Sequence, residues 1–197
     1  MATRNSYTLA MPTPDRTSLP DIVAAGRHIL EADGLGAVTM AAVAARVGVR
    51  PPSLYKRVRD RDDLIRLVAE SAVAEMGVEL AAAEQDSGDP RARLGDLIGA
   101  LRTYARTHPA VYRLVFTPVT EGVELPRDLL EANSAPLFAV VAELAGPDHA
   151  LEAARTVTAW ATGFVAMELN GAFRLGGELD AAFEYGIDRL ARAIADD

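Results

Sequence analysis

Four polar side chains between residues 53 and 57 have the chemistry needed to bind a nucleic acid. They are Ser53, Tyr55, Lys56 and Arg57, which combine two hydroxyl groups with two cations. Short hydroxyl groups suit phosphate oxygens, and arginine or lysine also donates hydrogen bonds to O6 and N7 of guanine. This chemistry requires an element of structure that turns all four side chains toward solvent.

The positive charge of the chain is concentrated around these residues. The 197-residue chain has a formal net charge of −8, which by itself repels a polyanion. The first 66 residues nevertheless contain ten Lys/Arg against seven Asp/Glu, whereas the remaining 131 residues contain 10 against 21. This segregation predicts an N-terminal region that reads DNA, attached to an acidic body.

The elements that position these side chains are predicted to be helices. Apolar residues recur at helical spacing throughout the chain, and no long stretch alternates as a strand would, so we expect an all-α fold of about nine helices. A first helix is predicted from about Pro20 to Asp33, and a long fourth helix begins at Asp62 or Asp63. Later helices are predicted at about 91–107, 109–116, 126–145, 149–173 and 178–195.

Residues 39–58 are predicted to form two short helices joined by a turn. Thr39 is a favourable N-cap for the first, which Gly48 ends, and the second begins at Pro51 or Pro52 because proline is tolerated in a first turn. This arrangement is a helix-turn-helix in the physical sense.

The second of these helices is predicted to have one apolar face and one polar face. Leu54 and Val58 are spaced i, i+4, so both point inward. The outward face then presents Ser53, Tyr55, Lys56 and Arg57, and such a helix can enter a major groove.

Other functions lack the residues they require. The chain has no cysteine, which excludes disulfides, thiolate zinc sites and cysteine nucleophiles. His28, His108 and His149 are far apart in sequence, and no phosphate-binding loop or nucleophile elbow is present. We therefore expect no metal, cofactor or catalytic site. The lack of a signal peptide and of a membrane-length apolar run favours a cytoplasmic protein.

The stretch from Thr39 to Leu64 resembles the signature of the tetracycline-repressor (TetR) family. It contains a Thr-capped helix, a Gly-Val turn, a Pro-Ser-Leu-Tyr sequence at 52–55 and an acidic start to the fourth helix. The similarity covers about residues 20–68. Residues 108–116 and 160–169 resemble the WHG-type group of TetR C-terminal domains, although Thr162 stands where many members of that group have histidine.

The resemblance implies a role in DNA binding for seven residues. Thr39, Tyr55 and Arg61 correspond to phosphate contacts, and the other four are candidates for contacts to bases or backbone. Arg50 stands where many members have a capping Ser, Thr or Asp, and the loss of such a cap costs about 1 kcal/mol of local helix stability. The seven are Thr39, Arg50, Ser53, Tyr55, Lys56, Arg57 and Arg61.

The resemblance also implies a homodimer that binds double-stranded DNA. In the family the last two helices, here at about 149–173 and 178–195, pair across a two-fold axis. Small residues such as Ala154, Ala161 and Ala182 are then expected to allow close approach. A dimer spaces two recognition helices by about one DNA turn (~34 Å), or a multiple of it, and so reads a palindrome.

A small-molecule pocket in the body is a further implication. Glu168, Thr162 and Asn170 are candidate polar contacts for a ligand. Aromatic and methionine side chains at helical spacing are equally typical of an ordinary core, so that interpretation stays open. The candidate pocket residues are Tyr104, Tyr112, Phe116, Phe138, Trp160, Phe164 and Met167.

The predicted organisation is a flexible arm over residues 1–17, a DNA-binding domain over 18–66, and a ligand-binding and dimerisation domain over 67–197. The predicted function is a repressor that occupies an operator and is released by a small-molecule effector. Three alternatives remain: a DNA-binding regulator without a ligand, an activator, and a helical carrier or enzyme with a vestigial head.

Overall fold

The computed structural model describes residues 17–83, 88–117 and 124–195, and within these ranges the chain forms nine α-helices and no strand. The predicted all-α fold is therefore confirmed. Residues 1–16 of the predicted arm lie outside the described residues, and Thr17 is buried. The helices are α1 (Leu19–Asp33), α2 (Met40–Val47), α3 (Pro51–Leu54), α4 (Arg61–Ala83), α5 (Pro90–Thr107), α6 (Pro109–Phe116), α7 (Arg127–Ala145), α8 (Ala150–Leu169) and α9 (Leu179–Ile194).

The helices α1, α2 and α3 pack with the start of α4 into a small unit, which we call the head. Its core contains Ile22, Val43, Leu54 and Leu64, each of them fully buried. Gly26 lies where α1 crosses α4, and a Cβ at this position would stand 3.1 Å from Cγ2 of Val68. The absence of a side chain at Gly26 therefore lets the two helices approach closely.

Local capping explains where the head helices begin and end. The hydroxyl of Ser18 accepts a hydrogen bond from the amide of Asp21, and the Asp21 carboxylate accepts one from the amide of Ser18, which makes a capping box for α1. Thr39 Oγ1 accepts from the amide of Ala42 at 3.1 Å, as the N-cap prediction requires. Gly48 ends α2 in a left-handed conformation with φ 75°.

The helix α3 is shorter than the sequence suggests. The helix ends at Leu54. The chain then forms a hydrogen-bonded turn in which the amide of Val58 donates to the carbonyl of Leu54 at 3.0 Å. Val58 therefore follows α3 instead of lying on it, yet only 1% of it is exposed, so its predicted place in the core is confirmed. Arg50, the N-cap, makes no side-chain capping bond.

The remaining helices and most of α4 form a second unit, which we call the body. The helix α7 packs against α4, α5 and α8, and α9 packs against α5. The helix α8 ends at Leu169, not near residue 173, because Gly171 takes a positive φ of 60° and its amide returns to the carbonyl of Glu168. No helix among the described residues is long and apolar enough to span a membrane.

The small residues expected at a dimer contact do not share one surface. Ala154 and Ala161 are 4% and 0% exposed within a single chain, because they face the core beside Val157 and Val165. Ala182 is exposed on α9. The prediction that Ala154 and Ala161 mediate close approach of two copies is therefore wrong.

Candidate nucleic-acid interface

Four exposed side chains form a polar surface at the end of the helix-turn-helix. Ser53, Tyr55, Lys56 and Arg57 are all exposed, and 55% of Tyr55 is accessible. The alternation with buried Leu54 and Val58 fixes this orientation, because both apolar side chains belong to the head core. We call these four residues the recognition surface.

Thr39 lies at the N-terminus of α2 and is exposed. Its Oγ1 accepts the hydrogen bond from Ala42 N, and its hydroxyl hydrogen can still be donated to an incoming oxygen. The positive end of the helix dipole favours an anion at the same place. The geometry therefore suits a phosphate contact by Thr39.

Arg61 holds the head together. Its Nε donates to the carbonyl of Val38 and its Nη2 donates to the carbonyl of Leu35, both at 2.7 Å. These bonds fix the segment before α2 to the start of α4, so Arg61 sets the position of the neighbouring Thr39. The phosphate contact expected for Arg61 stays a prediction, and the structural contacts were not evident from sequence.

A network around Asp63 also escaped the sequence analysis. The buried Asp63 carboxylate accepts hydrogen bonds from the amide of Arg59 at 2.9 Å, from Arg59 Nη2 at 3.1 Å and from Arg66 Nη2 at 2.6 Å. Hydrogen bonds from the Arg59 backbone and from the two guanidinium groups hold the pKa of Asp63 well below its usual range. The network fixes the segment that joins the recognition surface to α4.

The sequence signal for this network is a pair of acidic residues, Asp60 and Asp63, three positions apart. Asp60 Oδ1 accepts from the amide of Asp63 at 2.8 Å, so the two acids three residues apart occupy a capping arrangement at the start of α4. The acidic start of α4 is evident from sequence, but the burial of Asp63 depends on the packing of α4 against the head.

The head also contacts the body through α6. The Glu31 carboxylate on α1 accepts hydrogen bonds from the amides of Ala110 and Val111, both at 3.1 Å, in the first turn of α6. Arg27, also on α1, forms an ion pair with Glu75 of α4. The head is therefore joined to the body by the continuous helix α4 and by a carboxylate that caps α6.

An apolar cavity of about 290 Å³ lies between α4, α5, α6, α7 and α8. Of the seven predicted pocket residues, Phe116 belongs to its wall. The described lining residues are Met76, Leu80, Leu97, Ile98, Leu101, Phe116, Leu130, Asn133, Ser134, Pro136, Leu137 and Thr158.

The other predicted pocket residues are distributed over the body. Tyr104 is buried and donates from its hydroxyl to the carbonyl of Ala72 at 3.2 Å. Tyr112 stacks on Phe116 with ring centroids 4.6 Å apart, and burial raises its pKa to about 12. Phe138 is half-buried, Met167 is 46% exposed, and Trp160 and Phe164 pack on Phe183 of α9.

The candidate polar contacts are engaged elsewhere or face solvent. Glu168 accepts from Arg102 Nε at 2.7 Å and Nη2 at 2.6 Å in a buried ion pair, and Thr162 donates to the carbonyl of Thr158 at 2.7 Å. Asn170 is exposed. The polar residues in the described wall of the apolar cavity are instead Asn133, Ser134 and Thr158, which no sequence motif indicates.

These features define a helix-turn-helix DNA-binding protein with a helical body. Two family models match the chain: "Bacterial regulatory proteins, tetR family" matches residues 16–68, and "Tetracyclin repressor-like, C-terminal domain" matches residues 94–190. The chain belongs to the TetR family and is a transcriptional regulator of the helix-turn-helix type.

Individual relatives agree with this assignment. The chain is 29% identical over 187 residues to an uncharacterized HTH-type transcriptional regulator of Mycobacterium tuberculosis, covering 92% of this chain and 83% of the relative.

Solved structures share the fold. A protein with unknown function from Rhodococcus sp. RHA1 is 23% identical with a TM-score of 0.76, over 96% of this chain and 100% of the other. A TetR variant from Acinetobacter baumannii in complex with minocycline is 22% identical with a TM-score of 0.68, over 91% of this chain and 99% of the other.

Proposed function

We propose that this protein is a dimeric repressor that occupies a palindromic operator and leaves it when a small molecule fills the apolar cavity. The observation that carries the DNA-binding part is the recognition surface, where Ser53, Tyr55, Lys56 and Arg57 are exposed around two fully buried apolar anchors. In this proposal the DNA-binding domain spans residues 18–66, with an arm before it and a ligand-binding and dimerisation domain over 67–197.

Each group of side chains has its own role at the operator. Thr39, Tyr55 and Arg61 contact phosphates, which set the register of the head on the duplex without reading sequence. Lys56 and Arg57 supply the cations that reach guanine edges or backbone, and Arg50 and Ser53 lie at the start of the same short helix.

The exposed faces of α8 and α9 support pairing of two copies. On α8 the small residues Ala159, Gly163 and Ala166 face outward, and on α9 Ala182 and Tyr185 do. Small side chains let helices approach closely, and Tyr185 adds a large apolar area that is 64% exposed in the single chain. In this proposal these faces replace Ala154 and Ala161 as the dimer contact.

The route from cavity to head follows two helices. Met76 in the cavity wall belongs to α4, whose first turn carries Asp63, and Phe116 belongs to α6, whose first turn is held by Glu31 of α1. A ligand that displaces either helix therefore changes the placement of the heads. A hundredfold loss of operator affinity needs about 2.7 kcal/mol of differential binding.

The similar Acinetobacter structure holds minocycline, which supports a small-molecule effector for this chain. A regulator of this kind acts where the bacterial chromosome is, in the cytoplasm.

The test is a selection of DNA fragments on the purified protein, followed by anisotropy titration of the enriched sequence at several salt concentrations. We expect a palindromic sequence whose affinity falls steeply with salt. The double variant Lys56→Ala/Arg57→Ala weakens binding and reduces the slope of log K against log salt, by about 2 per half-site where both cations contact phosphates. Arg127→Ala, which removes an exposed cation that pairs with Glu131 on α7 of the body, is the control and leaves the slope unchanged.

A chemical readout is available because Lys56 is the only lysine in the chain. Acylation of lysine amines, read by mass spectrometry, reports on Lys56 at a single peptide. We expect the operator to slow this acylation at least ~10-fold and a scrambled duplex to have little effect. Enrichment of no sequence, or unchanged acylation of Lys56 in the complex, would contradict the DNA-binding assignment to the recognition surface.

A further inference from the structure

We propose that Lys56 is a modification site to which an acyl phosphate transfers its acyl group, and that this acylation releases the protein from its operator. The inference rests on the DNA-binding part of the proposed function and adds a covalent way of switching it. It depends on the composition of the chain, on the exposure of Lys56 and on the contacts of the cations around it.

The composition of the chain confines lysine chemistry to one side chain. Lys56 is the only lysine among the 20 Lys+Arg residues, and the other 19 are arginines. A lysine amine forms amides with acyl donors, whereas a guanidinium stays protonated and is a poor nucleophile. An acyl donor therefore neutralises a side-chain cation at a single position, and this position lies in the recognition surface.

The backbone holds Lys56 at an exposed point of the head. Lys56 lies in the turn after α3, where the amides of Arg57 and Val58 donate to the carbonyl of Leu54 at 2.9 Å and 3.0 Å. Leu54 and Val58 are buried in the head core, so they anchor this turn, and Lys56 between them is exposed. An acyl donor therefore reaches the amine without a rearrangement of the head.

The contacts of Lys56 differ from those of neighbouring cations. Arg59 forms an ion pair with Asp63, and Arg61 donates to backbone carbonyls, including that of Leu35. Lys56 forms no hydrogen bond or ion pair with any described residue. A carboxylate partner would cover the amine and hinder its attack on an acyl donor. No described carboxylate does so at Lys56.

The charge around Lys56 favours an anionic donor. Arg50 and Arg57 are exposed on either side of it in the sequence, and the side chain of Arg59 is 79% exposed. Clustered cations raise the local concentration of anions. An acyl phosphate is an anion, so the positive region that suits the DNA backbone also attracts this class of donor.

The reaction converts a cation into a neutral amide. The neutral Nζ attacks the carbonyl carbon of the acyl phosphate and a C–N bond forms. The C–O bond to phosphate breaks, phosphate leaves with the electron pair, and a proton passes from the nitrogen to water. Each head then lacks one positive charge and one hydrogen-bond donor group at the recognition surface. Bound DNA in turn covers Nζ, so acylation and operator binding oppose each other.

The experiment treats the full chain with acetyl phosphate and follows the peptide that contains Lys56 by mass spectrometry. We expect Lys56 to be acetylated at least as fast as Nα-acetyl-lysine in the same solution. Anisotropy titration with the selected operator then measures affinity. We expect the acetylated protein to bind at least ~30-fold more weakly, because each of two heads loses a charged contact.

Two variants assign the loss of affinity to one amine. Lys56→Arg keeps a cation but removes the amine, and its affinity is compared only with itself before and after acetyl phosphate. We expect no change, because any other group that reacts is present in both proteins. Lys56→Gln, which is neutral and of similar length, is expected to show the weak binding of the acetylated protein without treatment.

Three results would overturn the proposal while the untreated protein still binds its operator. They are acetylation of Lys56 more than ~10-fold slower than that of Nα-acetyl-lysine, an acetylated protein that keeps its operator affinity, or a loss of affinity that Lys56→Arg shares. Each leaves the proposed function standing. An untreated protein that binds no operator contradicts the proposed function, and the inference fails with it because no complex exists to be released.

Discussion

The head and the body differ in how completely their interiors are filled. In the head, the side chains of Arg61 and Asp63 engage backbone groups or opposite charges, and the apolar core beside them is fully buried. In the body, the oxygens of Tyr112 and Asn133 are buried without a hydrogen bond to the described residues, and an apolar cavity adjoins Asn133. The bonds of Arg61 and Asp63 hold the head in one geometry, whereas the body keeps unfilled volume beside Asn133.

The largest expected effect is on the free energy of unfolding, and it differs between core substitutions in the head and in the body. Leu54→Ala in the head removes a fully buried side chain from a filled core and is expected to lower the free energy of unfolding by about 4 kcal/mol. Leu97→Ala in the cavity wall is expected to cost about 2 kcal/mol, because a side chain that borders a void has fewer contacts to lose. Urea denaturation of both variants measures the difference, and equal losses would contradict it.

The second prediction concerns the buried acid of the head. Asp63→Asn removes the carboxylate that holds Arg59 and Arg66 and is expected to lower the free energy of unfolding by about 3 kcal/mol at pH 7. The pKa of Asp63 is lowered by folding, so the folded state binds fewer protons and the stabilisation is complete above about pH 4, the unfolded value.

That stabilisation is lost as the pH falls below about 4 toward the folded pKa. The denaturation midpoints of the unmodified protein and of the Asp63→Asn variant are therefore expected to converge as the pH is lowered. Asp62→Asn, which changes the exposed neighbouring acid, is the matched control and is expected to change stability by less than about 0.5 kcal/mol. A difference that does not depend on pH would contradict the role of the Asp63 carboxylate.

The third prediction tests packing between α8 and α9 in the body. A Cβ at Gly186 would lie 2.2 Å from Cζ2 of Trp160, so Gly186→Ala must displace the indole. We expect a loss of about 2 kcal/mol, typical of an overpacked site, and a shift of the fluorescence of Trp160, the chain's only tryptophan. The substitution Gly99→Ala on α5 serves as the comparison, because a Cβ there meets no described atom within 4 Å.

The smallest effect is expected where the head and body meet. Glu31→Gln weakens the hydrogen bonds to the amides of Ala110 and Val111 and is expected to cost about 1 kcal/mol of stability. Operator affinity without ligand should change little, because Glu31 lies outside the recognition surface. The ratio of operator affinities with and without an effector identified by screening should shrink, and an unchanged ratio would exclude α6 as a route of coupling.

The local elements of the head could be predicted because their signals are local. Thr39, Gly48 and Pro51 act on the residues next to them, so the bounds of α2 and the start of α3 follow from sequence. The outward position of Lys56 follows from the burial of its neighbours Leu54 and Val58. The predicted end of α8 near residue 173 is wrong, because Gly171 interrupts an apolar pattern that continues past it.

Only the tertiary structure decided which side chains that are distant in sequence contact each other. Sequence alone determined the helical fold, the family and an exposed recognition surface, since each depends on residue types at short spacing. It did not show that Arg61 binds the backbone of Leu35, that Glu168 pairs with Arg102, or that Asn133 lies at the cavity. Those contacts depend on the distances and crossing angles between packed helices, which no short stretch of the chain specifies.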